Sequence, residues 1–277
     1  NAGKKVVIED PFYPDLRELL KRHTDQIRTL PVDNDGVIID DDVIADADLV
    51  IVTPSHQCPT TATLSRERRR QLLDLAKQHD VLVVEDDYEF EMNFIEAPSP
   101  ALKSMDDSGH VIYVGSFSKS LFPGLRLGYL VASEQLIEEA RSLRHLMLRH
   151  PPGQTQRTAA YFMALGHYDA QIKRLRRHFS ARRKLLQTCL DQETVLRETG
   201  AHFGGTSFWI HGPAWLDARE LAARAAERSI LIEPGHTFFS AKEPPQNYFR
   251  MAYSSIPENK IEQGFQMLVD CVKALKP

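Results

Sequence analysis

A series of short apolar runs, separated by stretches with helical patterns, constrains the fold of this chain more than any other feature. The runs lie in the first half of the sequence, at Lys4–Glu9, Leu49–Thr53, Val81–Val84, Val111–Val114 and Leu127–Val131. Uniformly apolar strands with helices between them are typical of a mainly parallel sheet that is covered on both faces. The pattern therefore predicts an α/β fold whose ligands bind at the carboxyl ends of the strands.

Helix signals fill the gaps between these runs. Pro14 follows Tyr13 and is expected to open a helix. Ser65 is placed to cap a second helix, whose apolar face is formed by Leu72, Leu73 and Ala76.

The pattern changes after Val131, because residues 133–190 are mostly helical in character. From about Val195 onward, the sequence predicts a smaller α+β unit. Its expected elements are strands at Ser207–Ile210, Ile230–Glu233 and Tyr248–Ala252, a helix at Arg219–Arg228, and a last helix after Pro257. We therefore expect a large domain over residues 1–175 and a small domain over residues 176–277.

Composition excludes several classes of function for this chain. The net charge of −4 over 277 residues gives no basic surface of the kind that binds nucleic acid. No apolar run approaches the ~20 residues that a membrane-spanning helix requires. The three cysteines, Cys58, Cys189 and Cys271, are widely scattered, which fits a reducing compartment and argues against a disulfide framework or a metal site. A cytoplasmic protein that does not contact a membrane is expected.

The strongest candidate for chemistry is Lys119, which ends the segment Ser116-Phe117-Ser118-Lys119 after the fourth apolar run. Burial and nearby cations can lower the pKa of such an amine, which can then form an imine with an aldehyde cofactor. The hydroxyls of Ser116 and Ser118 and the guanidinium of Arg126 can bind a phosphate. A surface loop of serine and lysine is the alternative, which the preceding strand and the following arginine disfavour.

A second candidate is the acidic segment Glu85-Asp86-Asp87-Tyr88, which follows the third apolar run. An aspartate fixed at the end of a strand can pair with the protonated nitrogen of a pyridine ring and keep that ring an electron sink. A tyrosine two residues later can hydrogen-bond the phenolic oxygen of the ring. A solvated acidic turn and a metal site are the alternatives.

Three further residues stand at the expected ligand edge or within a predicted strand. Tyr13 can stack on an aromatic ring, although it can equally fill the core. His56 follows the second apolar run, where a structural histidine is the alternative. Arg250 lies in an apolar strand and needs a carboxylate partner, which is either a ligand or an internal salt bridge. Weaker candidates for the pocket wall are His202, His236 and Phe238.

Taken together, these motifs resemble those of fold-type I pyridoxal 5′-phosphate (PLP)-dependent aminotransferases over essentially the whole chain. The closer resemblance is to the aminotransferase-like domain of MocR/GabR-type regulators, which carry an N-terminal winged helix of the GntR type. The segments that carry this resemblance are TPSHQ-x-PT, EDDYEFE, PSPALKSMDDSGHVIYVGSFSK and LFPGLRLGYLV. The expected fold is a mainly parallel sheet in a large domain that is incomplete at its N-terminus, with a smaller α+β C-terminal domain.

The resemblance implies a role for each candidate residue. Lys119 would carry PLP as a Schiff base, Asp86 would pair with the pyridinium nitrogen, and Tyr88 would bond the ring oxygen. Tyr13 would stack on the ring. Ser116, Ser118 and Arg126 would hold the phosphate. Arg250 would bind the carboxylate of an amino acid or a related amine. His56 is also placed among the cofactor-binding residues. The family further implies a homodimer, and DNA binding only through a winged-helix domain outside this chain.

Two departures from the family pattern bear on the reaction. Pro59-Thr60-Thr61 stands where the family has Pro-Thr-Gly, and Cys58 stands where many enzymes have an asparagine. They favour a sensor over an efficient transaminase. The first hypothesis is therefore a PLP-binding domain that senses an amine effector in a transcriptional regulator. The second is an aminotransferase that transfers amino groups from an amino acid to a 2-oxo acid. The third is a homologue that has lost the cofactor.

Overall fold

The larger of two β-sheets organises the N-terminal half of the protein. A computed structural model describes residues 3–95, 99–199 and 204–277. The sheet has seven strands in the order β3-β2-β1-β4-β5-β6-β7. They are β1 Val6–Asp10, β2 Ile27–Asp33, β3 Gly36–Val37, β4 Leu49–Val52, β5 Leu82–Asp87, β6 Val111–Ser116 and β7 Gly128–Val131.

The middle of this sheet is parallel, as the apolar runs predict. Strands β2, β1, β4, β5 and β6 pair in parallel, whereas β3 and β7 are antiparallel to their neighbours. Asp86 lies opposite Val114 in the ladder between β5 and β6. The carboxyl ends of β1, β4, β5 and β6 therefore meet at one edge, where the candidate residues follow.

Nine α-helices are found in the described residues, and the two that were expected to begin at Pro14 and after Ser65 begin there. Ser65 caps the helix Arg66–His79, named α3, since its Oγ accepts a hydrogen bond from the backbone N–H of Arg68 at 3.4 Å. Leu72 and Ala76 of that helix are fully buried against the sheet. No helix in the described ranges is long and apolar enough to cross a membrane. The helices are α1 Pro14–Lys21, α2 Asp41–Ala45, α3 Arg66–His79, α4 Leu102–Met105, α5 Glu134–Leu148, α6 Gly153–Ala164, α7 His167–Asp191, α8 Ala218–Glu227 and α9 Ile261–Ala274.

A second, antiparallel sheet organises the C-terminal part in the order β10-β11-β9-β8. Its inner face packs against α7, α8 and α9 around a core that includes Phe208, Leu221, Phe249 and Leu268. The strands are β8 Arg197–Glu198, β9 Ser207–His211, β10 Glu233–Pro234 and β11 Tyr248–Ala252.

The long helix α7 connects the two parts of the chain. It runs without a break through residue 175, and its Ile172 already packs in the core of the second sheet. The same helix contacts the segment after β5. Tyr168 Oη donates to Glu91 Oε1 at 2.5 Å, and Arg176 Nε donates to the backbone oxygen of Glu91 at 2.6 Å. The division into residues 1–175 and 176–277 stays a prediction.

Two strand expectations need correction. β2 is a full strand beside β1, but its polar residues and Pro31 hide it from a search for apolar runs. The strand expected at Ile230–Glu233 is reduced to Glu233–Pro234, because Leu231 is exposed and Ile230 and Ile232 precede the ladder. The predicted α/β class is confirmed.

Candidate functional site

A cavity of about 710 Å³ lies where the carboxyl edge of the first sheet faces β10 and β11. Five of the predicted residues line it, namely Tyr13, Asp86, Tyr88, Lys119 and Arg250. They come from four separate segments of the chain, and the topology described above brings these segments to one place. The lining also includes residues that the sequence did not point to or pointed to only weakly, among them Thr53, Cys58, Glu233, Thr237 and Phe238.

Lys119 reaches this cavity from the tight turn that follows β6. The turn is fixed by two backbone hydrogen bonds, from Phe117 N–H to Leu127 O at 3.1 Å and from Leu121 N–H to Phe117 O at 2.9 Å. In the single chain Lys119 is exposed rather than buried, so the expected burial of its amine is not found. Its primary amine is open to a carbonyl compound in the cavity.

Asp86 differs from the two acids that flank it, because side chains on a strand alternate between faces. Glu85 accepts hydrogen bonds from the backbone N–H groups of Leu102 and Lys103, both at 2.8 Å. Asp87 accepts from Ser55 Oγ at 3.1 Å and Tyr113 Oη at 3.2 Å. Among the described residues, Asp86 alone of the three has no hydrogen-bond donor.

The missing donor changes the acidity of Asp86. Burial without compensation raises the pKa of its carboxyl to about 6. A carboxylate in this position lacks a cation, and the protonated nitrogen of a pyridine ring would supply one. The unpartnered acid and the open amine of Lys119 line the same cavity, so the residues present fit a PLP molecule.

Two tyrosines, Tyr13 and Tyr88, also line this cavity. Burial raises the pKa of the Tyr88 phenol well above its usual value, so this group remains a hydrogen-bond donor at neutral pH. Tyr13 is 43% exposed, and its Oη donates to Asp15 at 2.8 Å. Its exposure is that of a residue at the cavity mouth and not of a core residue.

The sequence left open whether Arg250 forms an internal salt bridge or binds the carboxylate of a ligand, and its position in the structure allows both. Its Nε donates to Ser207 Oγ at 3.0 Å, and its Nη1 donates to Glu233 Oε2 at 2.9 Å. An internal salt bridge is therefore present. Nη2 donates no hydrogen bond to another described residue, and the side chain lines the cavity. Arg250 can still bind an anion.

The three predicted phosphate-binding residues lie outside the lining of this cavity. Ser116 Oγ accepts from the backbone N–H of Ser118 at 3.1 Å, and Ser116 pairs with Gly128 across the ladder between β6 and β7. Arg126 is exposed, with a left-handed backbone at φ 50°. The ladder between β6 and β7 keeps the three residues at the segment that connects these two strands. Their role as phosphate ligands stays a prediction.

His56 is buried and does not line the cavity. Neither ring nitrogen has a hydrogen-bond partner among the described residues, and burial lowers the pKa of the imidazole. Its predicted contact with the cofactor gains no support from this position and stays a prediction. His236 is also absent from the lining, Phe238 is present, and His202 lies outside the described residues.

Glu9 is a functional candidate that the sequence reasoning missed. It is the last residue but one of β1 and is fully buried, accepting from Thr53 N–H at 3.1 Å, Thr53 Oγ1 at 2.5 Å and Gln57 Nε2 at 3.1 Å. These bonds fix the segment that places Thr53 and Cys58 in the cavity wall. The signal was available, because Glu9 is an acid at the end of an apolar strand, as Asp86 is.

Comparisons with known proteins agree with this geometry. A family model described as aminotransferase class I and II matches residues 1–268. The chain is 43% identical over 271 residues to the HTH-type transcriptional regulator TauR of Rhodobacter capsulatus, covering 98% of this chain and 56% of that protein. It is 30% identical over 281 residues to the probable rhizopine catabolism regulatory protein MocR of Rhizobium meliloti, covering 100% of this chain and 56% of that protein. The chain thus spans a little over half the length of these regulators.

Solved aminotransferases share the fold. The kynurenine aminotransferase of Pyrococcus horikoshii, in complex with PMP, superposes with a TM-score of 0.91 at 26% identity, covering 100% of this chain and 71% of that one. The α-aminoadipate aminotransferase LysN of Thermus thermophilus, complexed with N-(5′-phosphopyridoxyl)-L-leucine, gives 0.89 at 27% identity, covering 99% and 72%.

These findings confirm the predicted fold-type I architecture and the resemblance to MocR-type regulators. The family model alone spans nearly the whole sequence. The chain belongs to the aminotransferase class I and II family.

Proposed function

We propose that this chain is the PLP-binding, effector-sensing domain of a MocR/GabR-type transcriptional regulator, and that its effector is an amino acid or a related amine. The observation that carries the proposal is the unpartnered acid Asp86 in one cavity with the open amine of Lys119 and the cation of Arg250. The similarity to TauR and MocR supports the regulatory role.

Each residue of the cavity has a distinct task in this proposal. When bound, PLP supplies an aldehyde that combines with primary amines and a ring that withdraws electrons. The Nζ of Lys119 would hold the cofactor through that aldehyde, and an effector amine would compete with it. Asp86 keeps a proton on the ring nitrogen, because its carboxylate has no other cation nearby. Tyr88 donates its phenolic hydrogen to the ring oxygen, and Tyr13 covers the ring at the cavity mouth.

Arg250 gives the effector a second point of attachment. Its free Nη2 can donate to a carboxylate while the amine of the same ligand reacts at Lys119. Arg250 belongs to the second sheet, whereas Lys119 and Asp86 belong to the edge of the first. An effector would therefore connect both sheets. It would shift the equilibrium between two domain arrangements by the difference in its affinity for them.

DNA binding would lie in a winged-helix domain outside this chain, and the regulator would act as a homodimer in the cytoplasm. Effector binding would shift the equilibrium between two domain arrangements, and that shift would change DNA binding by the winged-helix domain.

Absorption spectroscopy tests the proposal directly. We expect the protein purified with PLP to show a visible band that shifts when an effector amine is added. Lys119→Ala should abolish the band, whereas Lys77→Ala, on the exposed surface of α3, should leave it unchanged. A band that survives in the Lys119→Ala variant, or no band in the unmodified protein, would contradict the proposal.

A working aminotransferase is the second candidate function. The fold match to solved aminotransferases, which extends over the whole chain, favours it. Lys119 would then also move a proton between the Cα of the amino acid and the C4′ carbon of the cofactor. Complete conversion of an amino acid to its 2-oxo acid in a single turnover would support the enzyme. Effector binding without that conversion would support the sensor.

A further inference from the structure

We propose that Glu233 restricts the ligand of this cavity to amino compounds with a single acidic group and excludes dicarboxylic amino acids. The inference rests on the proposed function, since it concerns the ligand that meets Arg250. It deepens that function by naming the chemical class of the effector.

Glu233 is built into the anion-binding end of the cavity. It lies directly opposite Arg250 in the antiparallel ladder between β10 and β11, and both residues line the cavity. The two side chains form an ion pair with an Nη1–Oε2 distance of 2.9 Å. The Arg250 side chain is only 13% exposed, whereas the Glu233 side chain is 58% exposed. Glu233 therefore presents its remaining carboxylate surface to whatever enters.

The donors of Arg250 are divided between protein and ligand. A guanidinium has five N–H donors, and Ser207 and Glu233 already engage Nε and Nη1. The Nη2 group can hold one carboxylate of a ligand. The positive charge of Arg250 is then shared by two anions.

A second acidic group on the ligand would find no cation of its own. The charged residues among the described lining are Asp15, Asp86, Glu233, Lys119 and Arg250, which makes three acids against two bases. Lys119 is engaged at the amine end of the ligand. A dicarboxylate would therefore place its extra charge beside Glu233, and like charges placed side by side repel each other. A neutral or amide side chain meets no such repulsion.

Two matched ligand pairs and one variant test the inference. Glutamate with glutamine, and aspartate with asparagine, differ only by a carboxylate and its amide. Each would be titrated against the visible band of the PLP-loaded protein to obtain a dissociation constant. We expect each amide to bind roughly tenfold or more tightly than its acid in the unmodified protein. In Glu233→Gln, which keeps an oxygen for Arg250, we expect most of that preference to disappear.

A control variant separates the local effect from a change in total charge. Glu220→Gln on α8 removes the same charge from a side chain that is 57% exposed and lies outside the cavity, so the preference should be unchanged.

Equal affinity for acid and amide in the unmodified protein would overturn the inference. A preference that survives in Glu233→Gln, or a failure of both amides to shift the band, would overturn it as well. All three outcomes leave the band itself in place. Absence of the band would instead overturn the proposed function, and this inference with it.

Discussion

At the scale of single residues, three consecutive acids on β5 show how position decides chemistry. Glu85 holds the N-terminus of α4, Asp87 is held by two hydroxyls, and Asp86 is left to the cavity. The family resemblance singles out Asp86 among the three, and the structure places it in the cavity wall, while its role toward a cofactor stays a prediction. The sequence does not reveal Glu233, whose importance depends on a ladder partner seventeen positions further along the chain.

Buried acids make the stability of the protein depend on pH. Burial raises the pKa of Glu9 and of Asp87 to about 7. The hydrogen bonds from Thr53 to Glu9 and from Ser55 to Asp87 lower these pKa values, but burial has the larger effect. Both groups are ionised in the unfolded chain above about pH 5. Between pH 6.5 and 8 the folded state therefore binds more protons than the unfolded state, and stability falls as the pH rises.

We expect each of the two acids to lower the free energy of unfolding by roughly 1 kcal/mol across this window. Urea denaturation at pH 6.5 and pH 8 measures the change, and Glu9→Gln should remove about half of it. His56 acts in the opposite direction, because burial lowers its pKa and the free energy of unfolding therefore rises with pH. Most of that rise takes place below about pH 6.5. A free energy of unfolding that rises with pH in this window would show that the two acids are not perturbed as described.

At the scale of elements, the apolar strands of the first sheet were predictable and the connections between elements were not. Strands β1, β4, β5, β6 and β7 coincide with the apolar runs to within two or three residues at each end. β2 carries polar residues on exposed positions, so only its pairing with β1 identifies it. The cavity wall from Glu233 to Phe238 is a short strand and a single helical turn, for which periodicity gives no signal.

Gly204 is the connection where backbone geometry matters most. It bridges to Asn93 and so joins the segment after β5 to the second sheet. Its φ of +145° suits glycine, and a Cβ atom there would lie 2.1 Å from the backbone oxygen of Met92. Neither the bridge nor the close approach can be read from the sequence, because the two partners are over a hundred residues apart.

Gly204→Ala should therefore destabilise the protein by about 2–4 kcal/mol, as backbone strain and overpacking act together. Gly166→Ala is the matched control, since Gly166 has a φ of +77° and open space around it. It should cost about 1 kcal/mol from backbone strain alone. Thermal unfolding of both variants measures the difference, and equal losses would show that the contact with Met92 is unimportant.

At the scale of the whole molecule, the single chain leaves a large apolar surface in contact with solvent. None of the fifteen residues of α5 is buried, and they include Leu143, Leu146, Met147 and Leu148. Soluble proteins rarely expose a contiguous apolar patch of this kind unless another surface covers it. The homodimer that we propose supplies that surface.

A charged residue in this patch should weaken the dimer. Leu146 is 83% exposed in the single chain, and we expect Leu146→Asp to raise the dimer dissociation constant by roughly tenfold or more. Gln135→Asp adds the same charge at the opposite end of α5 and should have little effect. Sedimentation velocity over a range of concentrations measures both. An unmodified protein that is monomeric, or variants that behave alike, would contradict the expectation.

The helix α7 has a mechanical consequence for a sensor. Twenty-five residues at 1.5 Å each give a rigid rod about 37 Å long, and Tyr168 and Arg176 in its first half hold it to Glu91. Tilting such a rod by about 5° about that anchor carries its far end through about 2 Å. In the proposed sensor, a small adjustment beside Asp86 would thus become a larger displacement at the far end of α7.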